Sequence, residues 1–213
     1  MATNLGKIGP VTVDIIDDAF FIGPALQSFT NHARPPLIVR RTESNWIPYI
    51  ADFDDASGVV IVRSNLADHV PAVLKVRALS RIGARPIVLT DKTSAAFTYR
   101  LAEAGAAAVF NRTHHIDDIV AAITQPRGAE TLSVNRGGCS DAKLSDRELQ
   151  VACLYVGRAA PSTTVLAQLL GIPALSVRTY LQRARTALRA VGPTSTRQTL
   201  RQTLITDGWL EGE

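Results

Sequence analysis

Cysteine is scarce in this 213-residue sequence, with only Cys139 and Cys153 present. Two thiols cannot build a disulfide framework or, unaided, a zinc site, so a reducing cytoplasm is the expected compartment. Long apolar runs are missing as well. None approaches the roughly 18 residues a membrane-spanning helix needs, and no membrane partner is expected. The opening Met-Ala-Thr-Asn-Leu-Gly-Lys runs toward Asp14, Asp17 and Asp18. It lacks the basic start, apolar core and small-residue cleavage site of a secretory signal. Absent too are a Ser-His-Asp set, a glycine-rich phosphate loop and zinc-ligand spacing. The expectation is therefore a protein that is not an enzyme and carries no cofactor or metal.

What is present is the composition of an ordinary globular chain, 46% hydrophobic and 20% charged, long enough for one large domain or two small ones. Acidic residues have one conspicuous gap. Residues 1–126 balance at 12 basic and 12 acidic residues, whereas 127–213 carry 11 basic against 7 acidic. Between 176 and 201 stand Arg178, Arg183, Arg185, Arg189, Arg197 and Arg201 with no acid among them. Such a segment beside a neutral domain reads as a polyanion-binding end or as a solvated helix face, and charge alone does not separate the two.

Short β-branched runs at Val11–Ile16, Leu37–Val39, Val59–Val62, Pro86–Leu89 and Ala107–Phe110 lack strict alternation, as strands buried on both faces do. Helical patterns fall between and after them, near 22–30, 46–51, 71–82, 94–104 and 116–124. This alternation predicts a doubly wound βα domain, with its functional crevice beyond the carboxyl ends of the strands. Asp17, Asp18, Arg63, Thr90 and Arg112 stand at those ends.

Residues 127–142 read as a low-complexity linker able to uncouple two domains. From Leu144 onward the pattern is helical. Ser145 and Glu148 form a capping box, Pro161-Ser162 open a helix through Leu170, and Gly171-Ile172-Pro173 break it. A further helix runs from Ala174 to about Ala190 before Gly192-Pro193, and an amphipathic segment covers about Thr196–Ile205. The pair around the break forms a helix-turn-helix pattern. In its second helix Val177, Leu181, Ala184 and Leu188 make one buried stripe, which leaves Ser176, Arg178, Thr179, Gln182, Arg183 and Arg185 off it. A row of Arg, Thr and Gln can donate to phosphates and base edges in the major groove.

The stretches Leu-Ser-Asp-Arg-Glu-Leu-Gln-Val (144–151) and Val-Leu-Ala-Gln-Leu-Leu-Gly-Ile-Pro-Ala-Leu-Ser-Val-Arg-Thr-Tyr-Leu (165–181), continuing to Leu188, resemble the LuxR/FixJ-type DNA-binding domain. The Ala-Arg-Thr-Ala-Leu-Arg end is also similar to sigma-factor region four. The resemblance implies an all-α four-helix domain over 143–213 that binds double-stranded DNA. The contacts it implies are Ser162 and Thr163 on phosphate, and Leu175, Ser176, Arg178, Thr179, Gln182 and Arg183 in the groove. It also implies a dimer through the last helix, where Leu200 and Leu204 share a side, with a second contact from the segment 94–104. Residues 157–164 are longer than the family's usual turn.

Residues 1–126 resemble a response-regulator receiver of the same family, which implies a flavodoxin-like (βα)5 fold. Asp17-Asp18 match its acidic pair, Thr90 its switch hydroxyl, and Ala104-Gly105-Ala106 the turn before the fifth strand. Two positions depart from it. The phosphorylatable aspartate after Val59-Val60-Ile61-Val62 is Arg63, and the lysine is Arg112. Arginine accepts no phosphoryl group, and its charge beside Asp17 and Asp18 opposes Mg²⁺. The pocket then reads either as a fixed ion pair or as a remodelled sensor. The whole chain thus resembles an atypical, orphan response regulator with a degenerate receiver.

His114-His115 with Asp117-Asp118 have the composition of a metal cluster, but neighbouring histidines do not share a helix face. Cys153 reads as core and Cys139 as an incidental linker thiol. Trp46, Tyr49 and Phe53 read as core more readily than as a ligand pocket. Three functions follow in order: a sequence-specific DNA-binding regulator free of aspartyl phosphorylation and acting as a homodimer; a module sensing a small-molecule ligand or a heterodimer partner; and an enzyme using the βα crevice.

Overall fold

A computed structural model describes residues 9–19, 21–29, 35–54, 58–125, 136, 138–190 and 196–212. The opening segment, linker residues 126–135 and 137, and the Gly192-Pro193 stop lie outside the described residues. Five strands, β1 (Val11–Ile16), β2 (Leu37–Glu43), β3 (Val59–Arg63), β4 (Arg85–Thr90) and β5 (Ala108–Asn111), form one parallel sheet in the order β2-β1-β3-β4-β5. Helices α1 (Ile22–Phe29), α2 (Trp46–Ala51), α3 (Ala72–Arg81), α4 (Ala95–Glu103) and α5 (Ile116–Thr124) connect them. This is the flavodoxin-like order, in which the chain reverses direction between β1 and β3 and opens a crevice at their carboxyl ends.

The missing alternation in the strands has a direct cause, because both faces are covered. Val13, Ile15, Val59, Ile61 and Ile87 pack with Leu26 of α1 and Ile119 and Ile123 of α5. The intervening Ile16, Val60, Val62 and Val88 face Val73, Val76 and Leu79 of α3 and Phe97 and Leu101 of α4. β2 continues to Glu43, beyond the apolar triplet the sequence marks, because Arg40, Arg41 and Glu43 of this edge strand carry ion pairs instead of apolar contacts. Trp46 and Tyr49 are buried in ring contact with one another, and Phe53 packs edge-on to Tyr49, so all three belong to the core.

The second unit is all helical, with α6 (Asp146–Val156), α7 (Thr163–Leu170), α8 (Ala174–Ala187) and α9 (Arg197–Thr206). Caps set its boundaries. The Ser145 and Glu148 side chains exchange hydrogen bonds with each other's backbone N–H groups. Ser162 Oγ accepts the Val165 N–H at 3.2 Å, and Thr196 Oγ1 accepts the Thr199 N–H at 3.1 Å. Gly171 ends α7 in the left-handed conformation at φ +62°, Pro173 starts α8, and the two helices meet at 108°. No single described helix is long and apolar enough to cross a membrane.

Three expectations need correction. Leu200 and Leu204 are fully buried in their own domain with Leu149, Val156 and Leu181, so they are not dimer-facing residues. A helix of about ten residues needs a partner, and α6 supplies it. The described end of the linker is not uncoupled either. Cys139 is buried with its Sγ directed at the Ala96 carbonyl, and Ser140 is held between Arg100 and Asp207. Behind this contact Ala96, Phe97, Arg100 and Leu101 of α4 are buried, while Ser94, Ala95 and Glu103 stay exposed. Finally, Arg197 and Arg201 do not extend the basic face. Arg197 donates to the Ala160 and Pro161 carbonyls at 2.6 and 2.8 Å, and Arg201 to the Val156 carbonyl at 3.0 Å, where α6 leaves acceptors unpaired.

The two units share one continuous apolar core. At its centre Arg100 of α4 meets Asp207 at 3.0 Å, each side chain only 6% exposed. Arg100 also donates to the Asp207 carbonyl and to the Ser140 carbonyl, and its guanidinium stacks 4.1 Å from the Trp209 ring. Gly208 fits only as glycine. It has φ +77°, and a Cβ there would lie 2.2 Å from the Ala96 carbonyl oxygen.

Candidate functional site

The first site is the outer face of α8. Its buried stripe Val177, Leu181, Ala184 and Leu188 turns Leu175, Arg178, Thr179, Gln182 and Arg183 to solvent, with Ser176 half-buried beside them. These positions repeat at three and four residues, so they form one continuous strip along the helix. Leu175 is 72% exposed, and its apolar side chain is suited to contact with a thymine methyl group. Thr179 donates its hydroxyl to the Leu175 carbonyl at 3.0 Å, which leaves its methyl and its lone pairs outward. Arg178 and Arg183 are the exposed cations of the strip.

Ser162 and Thr163 open α7, at the helix end whose free N–H groups favour anions. Ser162 Oγ already accepts one of those N–H groups and keeps its own proton to donate. Arg185 is not part of the strip. It lies half-buried over the Tyr155 ring at 5.6 Å, with Arg197 over the same ring at 4.2 Å.

The second site is the crevice of the α/β unit. Arg63, the last residue of β3, reaches Asp18 Oδ1 at 3.4 Å, Asp17 Oδ1 at 3.6 Å and Asp91 Oδ1 at 3.1 Å. Arg112 reaches the same Asp91 oxygen at 2.9 Å. The sequence reading brought Asp17, Asp18, Arg63 and Arg112 to this crevice and missed Asp91, which closes the network as the bridge between the two arginines. Its signal was its place directly after Thr90 at a strand end. Partial burial works against ionisation of Asp91, but Arg63 and Arg112 outweigh it and hold the carboxyl below its ordinary value.

Asp17 is also tied to the backbone. Its carboxylate accepts the N–H groups of Ala19 and Phe21 at 3.0 and 3.2 Å, in front of α1. Asp18 Oδ2 accepts the Ala67 N–H at 3.3 Å. Thr90 is buried, and its hydroxyl donates to the Phe110 carbonyl at 3.2 Å rather than into the crevice. Beyond the crevice, Lys75 is fully buried against Asp68 at 2.8 Å, and burial pushes its ammonium below the ordinary lysine value. Asp14, also fully buried, accepts from Arg40 and from the Tyr49 hydroxyl at 3.1 Å.

The His114–Asp118 segment is built into the turn before α5. The Asp118 carboxylate accepts the His115 N–H at 3.2 Å, and the His114 ring packs edge-on against Phe110. Among the described residues, no group of three or more His, Cys, Asp or Glu is placed to hold a metal ion.

No protein-family model and no curated protein matches the sequence. Solved structures do match. The RcsB response regulator of Salmonella typhimurium is 14% identical over 92% of this chain and 99% of its own, with a TM-score of 0.63. RcsB from Salmonella enterica serovar Typhimurium, bound to promoter P1flhDC in the presence of the phosphomimetic BeF3-, is 16% identical over 90% and 98%, with a TM-score of 0.64. A structure of two RcsB dimers bound to two parallel DNAs is 15% identical over 93% and 99%, with a TM-score of 0.52. At such identities the likeness is one of fold. The chain has the two-domain fold of these response regulators, an α/β unit followed by a helical unit.

Proposed function

We propose, starting from a chain with the two-domain fold of a response regulator, that it is a sequence-specific DNA-binding transcriptional regulator not controlled by aspartyl phosphorylation. The observation that carries the reading is the exposed strip Leu175, Arg178, Thr179, Gln182 and Arg183, with Ser176 half-buried beside it, set on a helix that crosses α7 at 108°. That crossing lies in the range of helix-turn-helix pairs, in which the second helix enters the major groove with its first turns toward the bases. RcsB has been seen bound to promoter DNA and as dimers on DNA. For this chain a homodimer on a two-fold operator is part of the proposal, formed by surfaces other than Leu200 and Leu204.

The test begins with genome-wide enrichment of bound DNA and continues with a gel-shift salt titration on a recovered site. Arg178→Ala should weaken binding by about 1–3 kcal/mol if Arg178 reads a base edge, and should relax specificity at one position. Unchanged affinity and specificity with an intact fold would remove Arg178 from the reading surface.

The crevice supports the second half of the proposal. A phosphoryl acceptor must be an unencumbered carboxylate beside a divalent cation, whereas here Arg63 stands at the acceptor position amid Asp17, Asp18 and Asp91. Incubation with acetyl phosphate and Mg²⁺ should add no phosphoryl mass to residues 1–126, and beryllofluoride should not bind. An acid-labile phosphoryl group on Asp17 or Asp18 would overturn this half.

A further inference from the structure

One carboxylate reaches the crevice from the other domain. Glu211 lies beyond α9, and its Oε1 accepts the N–H groups of both Asp91 and Lys92 at 2.8 Å each. Its Oε2 accepts the Ser64 hydroxyl at 2.5 Å. The donors come from two different strand ends, Ser64 directly after β3 and Asp91-Lys92 directly after β4. Convergent N–H and O–H donors of this kind make an anion cradle, and charge-assisted bonds to them are about twice as strong as neutral ones.

We propose that this cradle is a carboxylate-binding site whose occupant is the chain's own Glu211, and that it acts as a latch holding the helical domain on the α/β domain. Its place gives it a particular role. The Asp91 backbone N–H bonds Glu211 while the Asp91 side chain bonds Arg63 and Arg112, so a single residue joins the charge network of the crevice to the position of the other domain. Anything that moves Asp91 away from the two arginines also moves a donor of the latch. The crevice thereby has a route to the helical domain that requires no phosphoryl group. This inference deepens the proposed function by naming a route for its regulation, but the latch itself does not depend on DNA binding.

The interface supplies its own reporter. Cys139 is buried between the domains beside Ala96, whereas Cys153 lies inside the helical domain, where burial pushes its thiol up to about 12. The experiment uses the full chain with N-ethylmaleimide at neutral pH, and mass spectrometry assigns the label to each cysteine. In the unaltered chain both should label slowly. Glu211→Ala should raise the Cys139 rate by about tenfold or more, the effect expected for losing a charge-assisted bond set, and leave Cys153 unchanged. Glu211→Gln, which keeps a neutral acceptor, should fall between the two. Small-angle scattering should show a larger radius of gyration for Glu211→Ala.

If Glu211→Ala also exposes Cys153, the helical domain itself has loosened, and Ser64→Ala decides. This variant lies outside that domain and should still raise Cys139 labelling alone. Unchanged Cys139 labelling in Glu211→Ala, or in Ser64→Ala after such loosening, would overturn the latch. Failure of DNA binding with an intact latch would overturn only the proposed function.

Discussion

Asp207→Ala should destabilise the folded chain by about 3–5 kcal/mol, the range for breaking a buried ion pair from one side. The loss comes less from the attraction removed than from what is left behind. Arg100 and Asp207 are each 6% exposed, so the guanidinium would remain in a desolvated interface with only the half-exposed Glu103 carboxylate, at 2.9 Å, as counter-charge. Asp207 also accepts the Trp209 indole N–H at 2.6 Å and the Ser140 N–H, so one substitution orphans both of these donors and removes one of Arg100's acceptors. Denaturant titration of the full chain measures it. Arg100→Met should be similarly harmful, and the double variant Arg100→Met/Asp207→Ala should lose clearly less than the sum of the two. Losses below about 1 kcal/mol, with strict additivity, would place the pair in solvent and the domains apart.

Leu200→Asp should prevent the helical domain from folding at any protein concentration. Replacing a fully buried leucine forfeits roughly 2–5 kcal/mol of packing, and burying an unpaired carboxylate adds several more. The total rivals the roughly 5–15 kcal/mol that holds an ordinary domain together. Leu200→Ala, without the charge, should cost about 2–5 kcal/mol and leave a folded chain. Far-ultraviolet circular dichroism and a dilution series separate the explanations. A Leu200→Asp chain with native helix content that is merely monomeric would restore the residue to a dimer interface.

The amphipathic period of α9 was legible in the sequence, but the partner of its apolar side was not. Leu200 and Leu204 four residues apart satisfy both a core and a dimer seam, since periodicity states that a face is covered and not by what. The same ambiguity affected the arginines. Six in a row without an acid read as one basic face, yet Arg197 and Arg201 cap the carbonyls after α6 while Arg178 and Arg183 face outward. Side chains of one chemistry divide between structure and surface according to helix phase and neighbours, and those neighbours are 36 to 45 positions away.

In the crevice, strand ends could be counted, so Asp17, Asp18, Arg63 and Arg112 were identifiable. Thr90 was placed correctly along the chain, but the direction of its hydroxyl was decided by an acceptor on β5. Cys139 looked incidental because composition around it marks a linker, yet its Sγ is directed at the Ala96 carbonyl of α4, 43 positions away.

The sequence by itself determined the features written in local rules. Runs of β-branched residues became buried strands because helices cover both faces of the sheet. Capping residues set where α6, α7 and α9 begin, Gly171 and Pro173 fixed the turn before α8, and a stripe at helical spacing settled which face of α8 is outward. Each of these acts over a few residues, where backbone sterics and hydrogen bonding leave few options. The tertiary structure alone decided that the two domains dock. Contacts that cross between them, among them Arg77 to Asp146, Arg100 to Asp207 and Glu211 to Asp91, join residues 69, 107 and 120 positions apart. No local pattern specifies such a pair, because a charged side chain on a surface and one awaiting a distant partner look alike until the fold removes the water between them.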